Sequence, residues 1–212
     1  KMEQRSKQYI QDASLIKKLL SNGDVLDVGC NGGFFLDVLG SGYERFGTEL
    51  DSEAVDFAKN FKLFGSNIYN GTLISAEFPN NKFDLAVMRG VIEHLCNPED
   101  YIQEISRILK PGGYYYICAT PNGESFCADL YRENWTLFHP VQHLWHFSPN
   151  NLSMICKRHN LNLVWKEYPY LGTPYENVKN DVLEVSNYII KNDVSLSPAF
   201  FENMMSLVFK KL

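Results

Sequence analysis

The sequence predicts an α/β fold in which a parallel sheet carries helices on both faces. Three observations lead there. Strand-like and helix-like patterns alternate along most of the chain, a glycine-rich turn follows the first strand, and an acidic residue, Glu49, closes the second.

Taken in order, the elements begin with a helix from Gln4 to Leu20. Its apolar residues Tyr9, Ile10, Ala13, Ile16, Leu19 and Leu20 recur close to helical spacing, and Ser21, Asn22 and Gly23 supply the stop. The patterns then read strand 24–29, helix 33–39, strand 43–50, helix 52–62, strand 66–70, strand 83–88, helix 98–109 and strand 113–119. Ligands of such sheets sit beyond the carboxyl ends of the strands. The turn at 27–33, Glu49, the segment after Asn70 and the segment after Met88 all fall at such ends, so four loops converge on one crevice. Residues 121–147 are irregular and aromatic, with Phe126, Tyr131, Trp135, Phe138, Trp145 and Phe147. Ser148 has the character of an N-cap, with Pro149 at the first position of a helix running to about His159, and strand 161–168 follows. The stretch 169–199 reads as irregular or partly helical, and 204–210 as a last strand. The chain is therefore expected to form one domain over 1–212, with lid-like insertions at about 121–147 and 169–199.

Composition narrows the function. The 212 residues are 45% hydrophobic, enough for one sizeable core. Lys and Arg number 20 against 25 Asp and Glu, a net charge of −5 with no basic run, which argues against a nucleic-acid partner. No apolar stretch approaches the roughly 20 residues of a membrane span. The polar start from Lys1 to Ser6 lacks the apolar core of a signal peptide, so a cytoplasmic location is expected. The five cysteines are widely spaced with no C-x-x-C, a pattern of reduced thiols.

Residues 24–33 read Asp24-Val25-Leu26-Asp27-Val28-Gly29-Cys30-Asn31-Gly32-Gly33, a short apolar strand running into glycines. Glycine lets the backbone take positive φ and approach a ligand closely. A carboxylate at the end of the next strand, here Glu49, 20 residues after Gly29, can accept both hydroxyls of a ribose. A nucleoside-containing cofactor follows from this pair. The dinucleotide fingerprint G-x-G-x-x-G, started at Gly29, would require glycine where Asn31 and Phe34 stand, which disfavours a nicotinamide-dependent oxidoreductase. A nucleoside-binding module without catalysis remains open at this point.

The segment resembles motif I of the class I S-adenosylmethionine-dependent methyltransferases, D-x-G-x-G-x-G, with Asp27, Gly29 and Gly33 at three of its places and Asn31 at the middle glycine. Asn enters the left-handed region more readily than other side chains, so the loop can keep its shape. The resemblance runs from about Asp24 to Asn160. Phe83 to Val87 resembles the family's fourth strand, and Arg89-Gly90-Val91-Ile92-Glu93-His94-Leu95 with Asn97-Pro98 resembles a signature of the ubiquinone-biosynthesis and sugar O-methyltransferase branches. Leu109 to Gly113 resembles the turn before strand five, and Thr120-Pro121-Asn122 the end of that strand. The implied fold is Rossmann-like: a seven-stranded, mostly parallel sheet whose last strand enters antiparallel between strands five and six. The implied cofactor is S-adenosyl-L-methionine. Carried over residue by residue, Asp27, Gly29, Cys30, Asn31 and Gly33 form the loop beside the cofactor's amino acid and ribose. Glu49 takes the ribose hydroxyls and Leu50 lies against adenine. Thr72 and Leu73 stand where the family often has an Asp facing the adenine amine, Arg89 and Val91 lie beneath the methionine part, and His94 belongs to the cofactor wall. Cys30 is expected to pack rather than react.

Methyl transfer from a sulfonium is an in-line displacement, so the protein must align donor and acceptor and remove a proton from a hydroxyl acceptor. The segment from His139 to Pro149 resembles the element that carries this branch's histidine, which makes His143 the candidate base or substrate-orienting residue, with His139 behind it. His139, His143 and His146 would share a face if helical, but Pro140 and Pro149 bracket them and no acid stands among them, so no metal is expected. The expected acceptor is a small hydroxylated molecule, with a carbohydrate or surface-glycan precursor first and a quinone-type phenol second. The apolar residues of 169–199 further suggest an acceptor-facing or subunit role, and with it a possible homodimer.

Overall fold

The computed structural model describes residues 2–60, 64, 67–191 and 195–212. The sequence expectations for 61–62 as a helix end, for 66 as a strand start, for Lys1 and for 192–194 of the second insertion lie outside them. Seven helices, α1 (Met2–Leu19), α2 (Phe34–Leu39), α3 (Ser52–Asn60), α4 (Pro98–Ile108), α5 (Phe126–Tyr131), α6 (Pro149–Arg158) and α7 (Val178–Lys191), accompany seven strands among the described residues. The strands are β1 (Gly23–Val28), β2 (Tyr43–Glu49), β3 (Ile68–Asn70), β4 (Phe83–Arg89), β5 (Leu109–Pro121), β6 (Leu161–Glu167) and β7 (Met204–Lys211).

They form one sheet in the order β3-β2-β1-β4-β5-β7-β6. The β1–β2, β1–β4, β2–β3 and β4–β5 pairs are parallel, and β7 is antiparallel to both β5 and β6. The expected seven-stranded sheet with an antiparallel last strand is what forms. A strand flanked on both edges and covered on both faces must be apolar throughout, and Met205 to Phe209 of β7 are all buried.

Side-chain alternation assigns the two faces. Leu26 and Val28 of β1, Met88 of β4 and Tyr115 and Ile117 of β5 pack under Ile102, Ile105 and Ile108 of α4 and Leu152 of α6. Val25, Leu85, Val87, Tyr116 and Cys118 point the other way, onto Ala13 and Ile16 of α1 and Phe35 and Leu39 of α2. Helix α6 starts as expected, with a capping box between Ser148 and Asn151 and Pro149 in its first turn.

Two expectations need correction. The strand placed at 113–119 runs from Leu109 to Pro121. Phe83 pairs with Leu109 and Leu85 with Tyr114, so the Lys110-Pro111-Gly112-Gly113 turn signal is absorbed as a bulge inside the strand. The segment 121–147 is not wholly irregular either: Ser125 caps α5 by accepting from the Ala128 amide at 3.1 Å. A short amphipathic helix of this kind gives too few turns for its period to register.

Beyond the sheet, Cys127, Tyr131, Trp135 and Val185 form a small core of their own, joined by Leu137, Tyr188 and Phe200. The two insertions thus pack on each other. Asn203, at the root of β7, ties them: its Oδ1 accepts from Ser125 Oγ and Trp135 Nε1, both at 3.1 Å, and its Nδ2 donates to the Pro198 carbonyl at 2.9 Å. All five cysteines are free thiols, buried except for Cys96.

Candidate active site

A cleft of about 800 Å³ opens beside the carboxyl ends of β1 and β4. That is within the range of pockets that enclose a small ligand. Its lining brings together Asp27, Gly29, Cys30 and Asn31 of the glycine loop with Arg89 and Gly90 after β4 and Ala119 of β5. The loop adopts the predicted conformation: Gly29 and Gly33 have φ of 75° and 73°, and Asn31, in place of a glycine, has φ of 49°. Val91 braces it closely, because a Cβ on Gly29 would lie 2.8 Å from Val91 Cγ2. Cys30 is buried against Gly47 of β2, as expected of a packing residue, and burial pushes its thiol pKa far up.

Glu49, at the end of β2, anchors the loop and is not among the residues that line the cleft. Its Oε2 accepts from the Asn31 amide at 2.8 Å, and Oε1 accepts from the amides of Leu50 and Asp51 at 2.7 and 3.0 Å. Leu50 is 70% exposed at the same strand end, an apolar surface with nothing over it. Thr72 is held by its neighbour, with Oγ1 donating to Ser75 Oγ and its amide doing the same, each at 2.9 Å. Leu73 is fully buried in the main core and offers the crevice no surface, so its expected adenine contact is not what the structure places there. Its neighbours Thr72 and Ile74 both keep some exposure while Leu73 turns inward, a choice that spacing alone could not reveal.

Asp27 is the electrostatic centre of the cleft. It is buried, its Oδ1 has no hydrogen-bond partner, and burial pushes its pKa up to about 7, opposed by the nearby Arg89 guanidinium and reinforced by Glu49 and Asp12. A buried carboxylate with an unsatisfied oxygen, on a residue that lines a ligand-sized space, fits a cationic or hydrogen-bond-donating ligand group. The loop and the buried Asp27 carboxyl fit S-adenosylmethionine, whose ammonium and sulfonium are both cations.

Sequence reasoning missed the contribution of α1. Arg89 donates from Nε to Asp12 Oδ2 at 2.9 Å and from Nη2 to Gln8 Oε1 at 3.2 Å, and its guanidinium lies over Tyr9 at 4.7 Å. Asp12 also accepts from Tyr116 Oη at 2.8 Å. No signal in the helical period marked Asp12, since a single acid on a helix is ordinarily solvated. Tyr170 of the second insertion, Met204 of β7 and, between them, Phe200 and Asn203 add to the lining.

The histidines assemble differently from the expected pair of His143 with His139 behind it. The segment from His139 to His146 is a series of turns, not a helix, and neither His139 nor His143 lines the cleft. His139 is exposed, while His146 turns into the rings of Phe138 and Trp135 at 5.0 and 5.9 Å. His143 instead meets His94, ring centroids 4.9 Å apart, with the buried Glu93 beside them. This group stands directly behind the cleft lining, because a Cβ on Gly90 would lie 3.8 Å from Glu93 Oε1, and the Leu137 carbonyl that binds His143 Nδ1 at 2.9 Å belongs to a lining residue. Burial lowers the His143 pKa, against the Leu137 hydrogen bond and with help from His94 and His139.

Comparison with known proteins agrees with this geometry. A family model described as a methyltransferase domain matches residues 1–166. A probable S-adenosylmethionine-dependent methyltransferase of Mycolicibacterium smegmatis is 31% identical over 104 residues, covering 49% of this chain and 40% of the relative. A ubiquinone biosynthesis O-methyltransferase of Nitrosospira multiformis is 30% identical over 103 residues, covering 46% of this chain and 43% of the relative. The chain thus spans less than half the length of these curated relatives. Among solved structures, a methyltransferase of Thermotoga maritima, described as a possible histamine N-methyltransferase, superposes with a TM-score of 0.65 at 19% identity, covering 96% of this chain and 89% of that one. At that identity the likeness speaks for the fold. With the family matched over most of its length and the cleft fitted to the family's cofactor, the chain belongs to the methyltransferase-domain family, of the S-adenosylmethionine-dependent kind.

Proposed function

We propose that the protein transfers a methyl group from S-adenosylmethionine to a hydroxyl of a small, flat acceptor of the phenol or quinol type. The observation that carries the reading is the unpartnered Asp27 Oδ1 in a cleft bounded by the glycine loop. When bound, the cofactor supplies an electrophilic methyl group. The protein's part is to hold and to exclude water: Asp27 meets the cationic end, Glu49 accepts the ribose hydroxyls, and Leu50 provides an apolar cover for the adenine.

The acceptor class follows from which groups of the cleft are free to bind. Tyr9, Phe35, Tyr170, Tyr175 and Phe200 give it aromatic sides suited to a planar ring. Its polar residues are largely engaged: Gln8 and Asp12 by Arg89, Thr136 by Ser197, Thr173 by the Tyr170 carbonyl, and Asn203 by Ser125 and Trp135. A carbohydrate needs many unpaired donors and acceptors, so the sugar acceptor expected from sequence has little support. The quinone-related relative leans toward the phenol. For proton removal, the Glu93, His94 and His143 group behind Gly90 and Leu137 is better placed than His143 alone. The five free thiols suit a reducing, cytoplasmic setting.

The test is incubation with S-adenosylmethionine and either catechols and hydroquinones or free and nucleotide-linked hexoses, with the demethylated cofactor measured by mass. Turnover with phenols alone is the expected result. Transfer to hexoses but not phenols would overturn the acceptor, and failure to bind the cofactor would overturn the whole reading.

A further inference from the structure

Glu93, His94 and His143 come from two separate loops, yet each offers a ligand atom within 4.8 Å of the others. We propose that these three residues form a binding site for a divalent transition-metal cation, of the Zn²⁺ or Mn²⁺ kind, at the back of the cleft. Two imidazoles and one carboxylate are a donor set that such ions take, leaving coordination positions open.

The hydrogen bonds around the rings give the strongest support. His94 Nδ1 lies 2.6 Å from the Gln142 carbonyl, and His143 Nδ1 lies 2.9 Å from the Leu137 carbonyl. A carbonyl can only accept, so each Nδ1 carries a proton, and Nε2 is the ring nitrogen left open to a ligand. Backbone carbonyls that fix the tautomer in this way are the usual outer partners of metal-binding histidines. Glu93 is 2% exposed, its Oε2 accepts from Thr120 Oγ1 at 3.2 Å, and its Oε1 faces His94 Nε2 at 3.9 Å, too far for a hydrogen bond.

The site is assembled before any ion arrives. The amides of Leu144 and Trp145 both donate to the Glu93 carbonyl, at 2.9 and 3.2 Å, and Trp145 Nε1 donates to the Leu95 carbonyl at 2.9 Å. An ion about 2.0–2.1 Å from each donor needs them roughly 3.4 Å apart. The His94 side chain, 42% exposed, can supply that contraction. The ordinary alternative is an imidazolium paired with a buried carboxylate, but the 3.9 Å separation and the outward carbonyl bonds are not those of a formed pair. A cation here would stand behind Gly90 and Leu137, where it can favour ionisation of an acceptor hydroxyl. That role rests on the proposed acceptor chemistry, while the existence of the site does not.

The experiment is titration of the metal-free protein with Co²⁺ in the absence of cofactor and acceptor, followed by visible d–d absorption and by competition with Zn²⁺. One ion per chain is expected. His143→Ala and the more exposed His94→Gln should each weaken binding by more than about 100-fold. Cofactor affinity, measured in His143→Ala by calorimetry, should stay. Absence of stoichiometric binding in the native protein, or binding unchanged in both variants, overturns the site. A native protein that binds the ion but not the cofactor would count against the cleft reading alone.

Discussion

Asp27 holds a proton that the cofactor should displace. With a pKa raised to about 7 by burial, it is largely neutral in mild acid, whereas a cation beside it favours the anion. Binding therefore releases a proton below that pH. Cofactor affinity should rise about tenfold per pH unit up to about 7 and level off above. Calorimetry in buffers of different ionisation enthalpy reads the released proton directly, and Asp27→Asn should flatten the profile. The unliganded protein follows the opposite sign: a carboxyl raised from 3.8 contributes stability present below 3.8 and lost as pH climbs through about 7. Glu49→Ala should weaken cofactor binding by about 1.5–3 kcal/mol, since charge-assisted bonds to the ribose vanish. Its three bonds to the amides of Asn31, Leu50 and Asp51 mean that part of this loss comes from a loosened loop. Glu49→Gln, which keeps an acceptor oxygen, should lose less in the same titration. At this scale the left-handed turn at Gly29 and Asn31 and the place of Glu49 at the end of β2 were legible, because they follow from backbone and strand-end geometry. Leu73 and Asp12 were not, because inward turning and contact with a distant helix are decided by tertiary packing.

Elements make close approaches that single atoms can spoil. At Gly47 of β2, an added Cβ would lie 2.5 Å from Cys30 Sγ and 2.9 Å from Ile68 Cδ1. Both neighbours are buried, so Gly47→Ala should cost about 1–3 kcal/mol, read as a lower midpoint in urea denaturation. The joined insertions offer a second test. Asn203→Ala strands Trp135 Nε1, a buried donor, and should destabilise by at least about 1–3 kcal/mol while sparing the loop around Asp27. Val185 and Tyr188 of the second insertion face this small core, which explains part of its apolar character. Ile190 of α7 is 79% exposed and is not so explained. A subunit contact there remains a proposal, and Ile190→Glu leaving the mass by light scattering unchanged would count against it. The insertions were readable in sequence as apolar stretches too long for bare loops, but their mutual packing depends on Asn203, which no local pattern singles out.

For the molecule as a whole, cofactor at 100 times its dissociation constant should stabilise the fold by about 2.7 kcal/mol, visible as a raised thermal midpoint. Nicotinamide dinucleotide at the same concentration should leave the midpoint where it is. The sheet was legible because alternating periods constrain connectivity strongly, whereas β5 was read short because a bulge looks locally like a turn. The position of β7 also orders events in time. A ribosome makes β5 some eighty residues before the strand that will cover its free edge, and β6 waits beside no partner of its own until then. Through that interval the nascent sheet presents an unpaired, apolar margin of the kind on which chains aggregate. A chain stopped after Asn203 should accumulate in inclusion bodies or on chaperones, and supplying residues 204–212 as a separate peptide should rescue it in part.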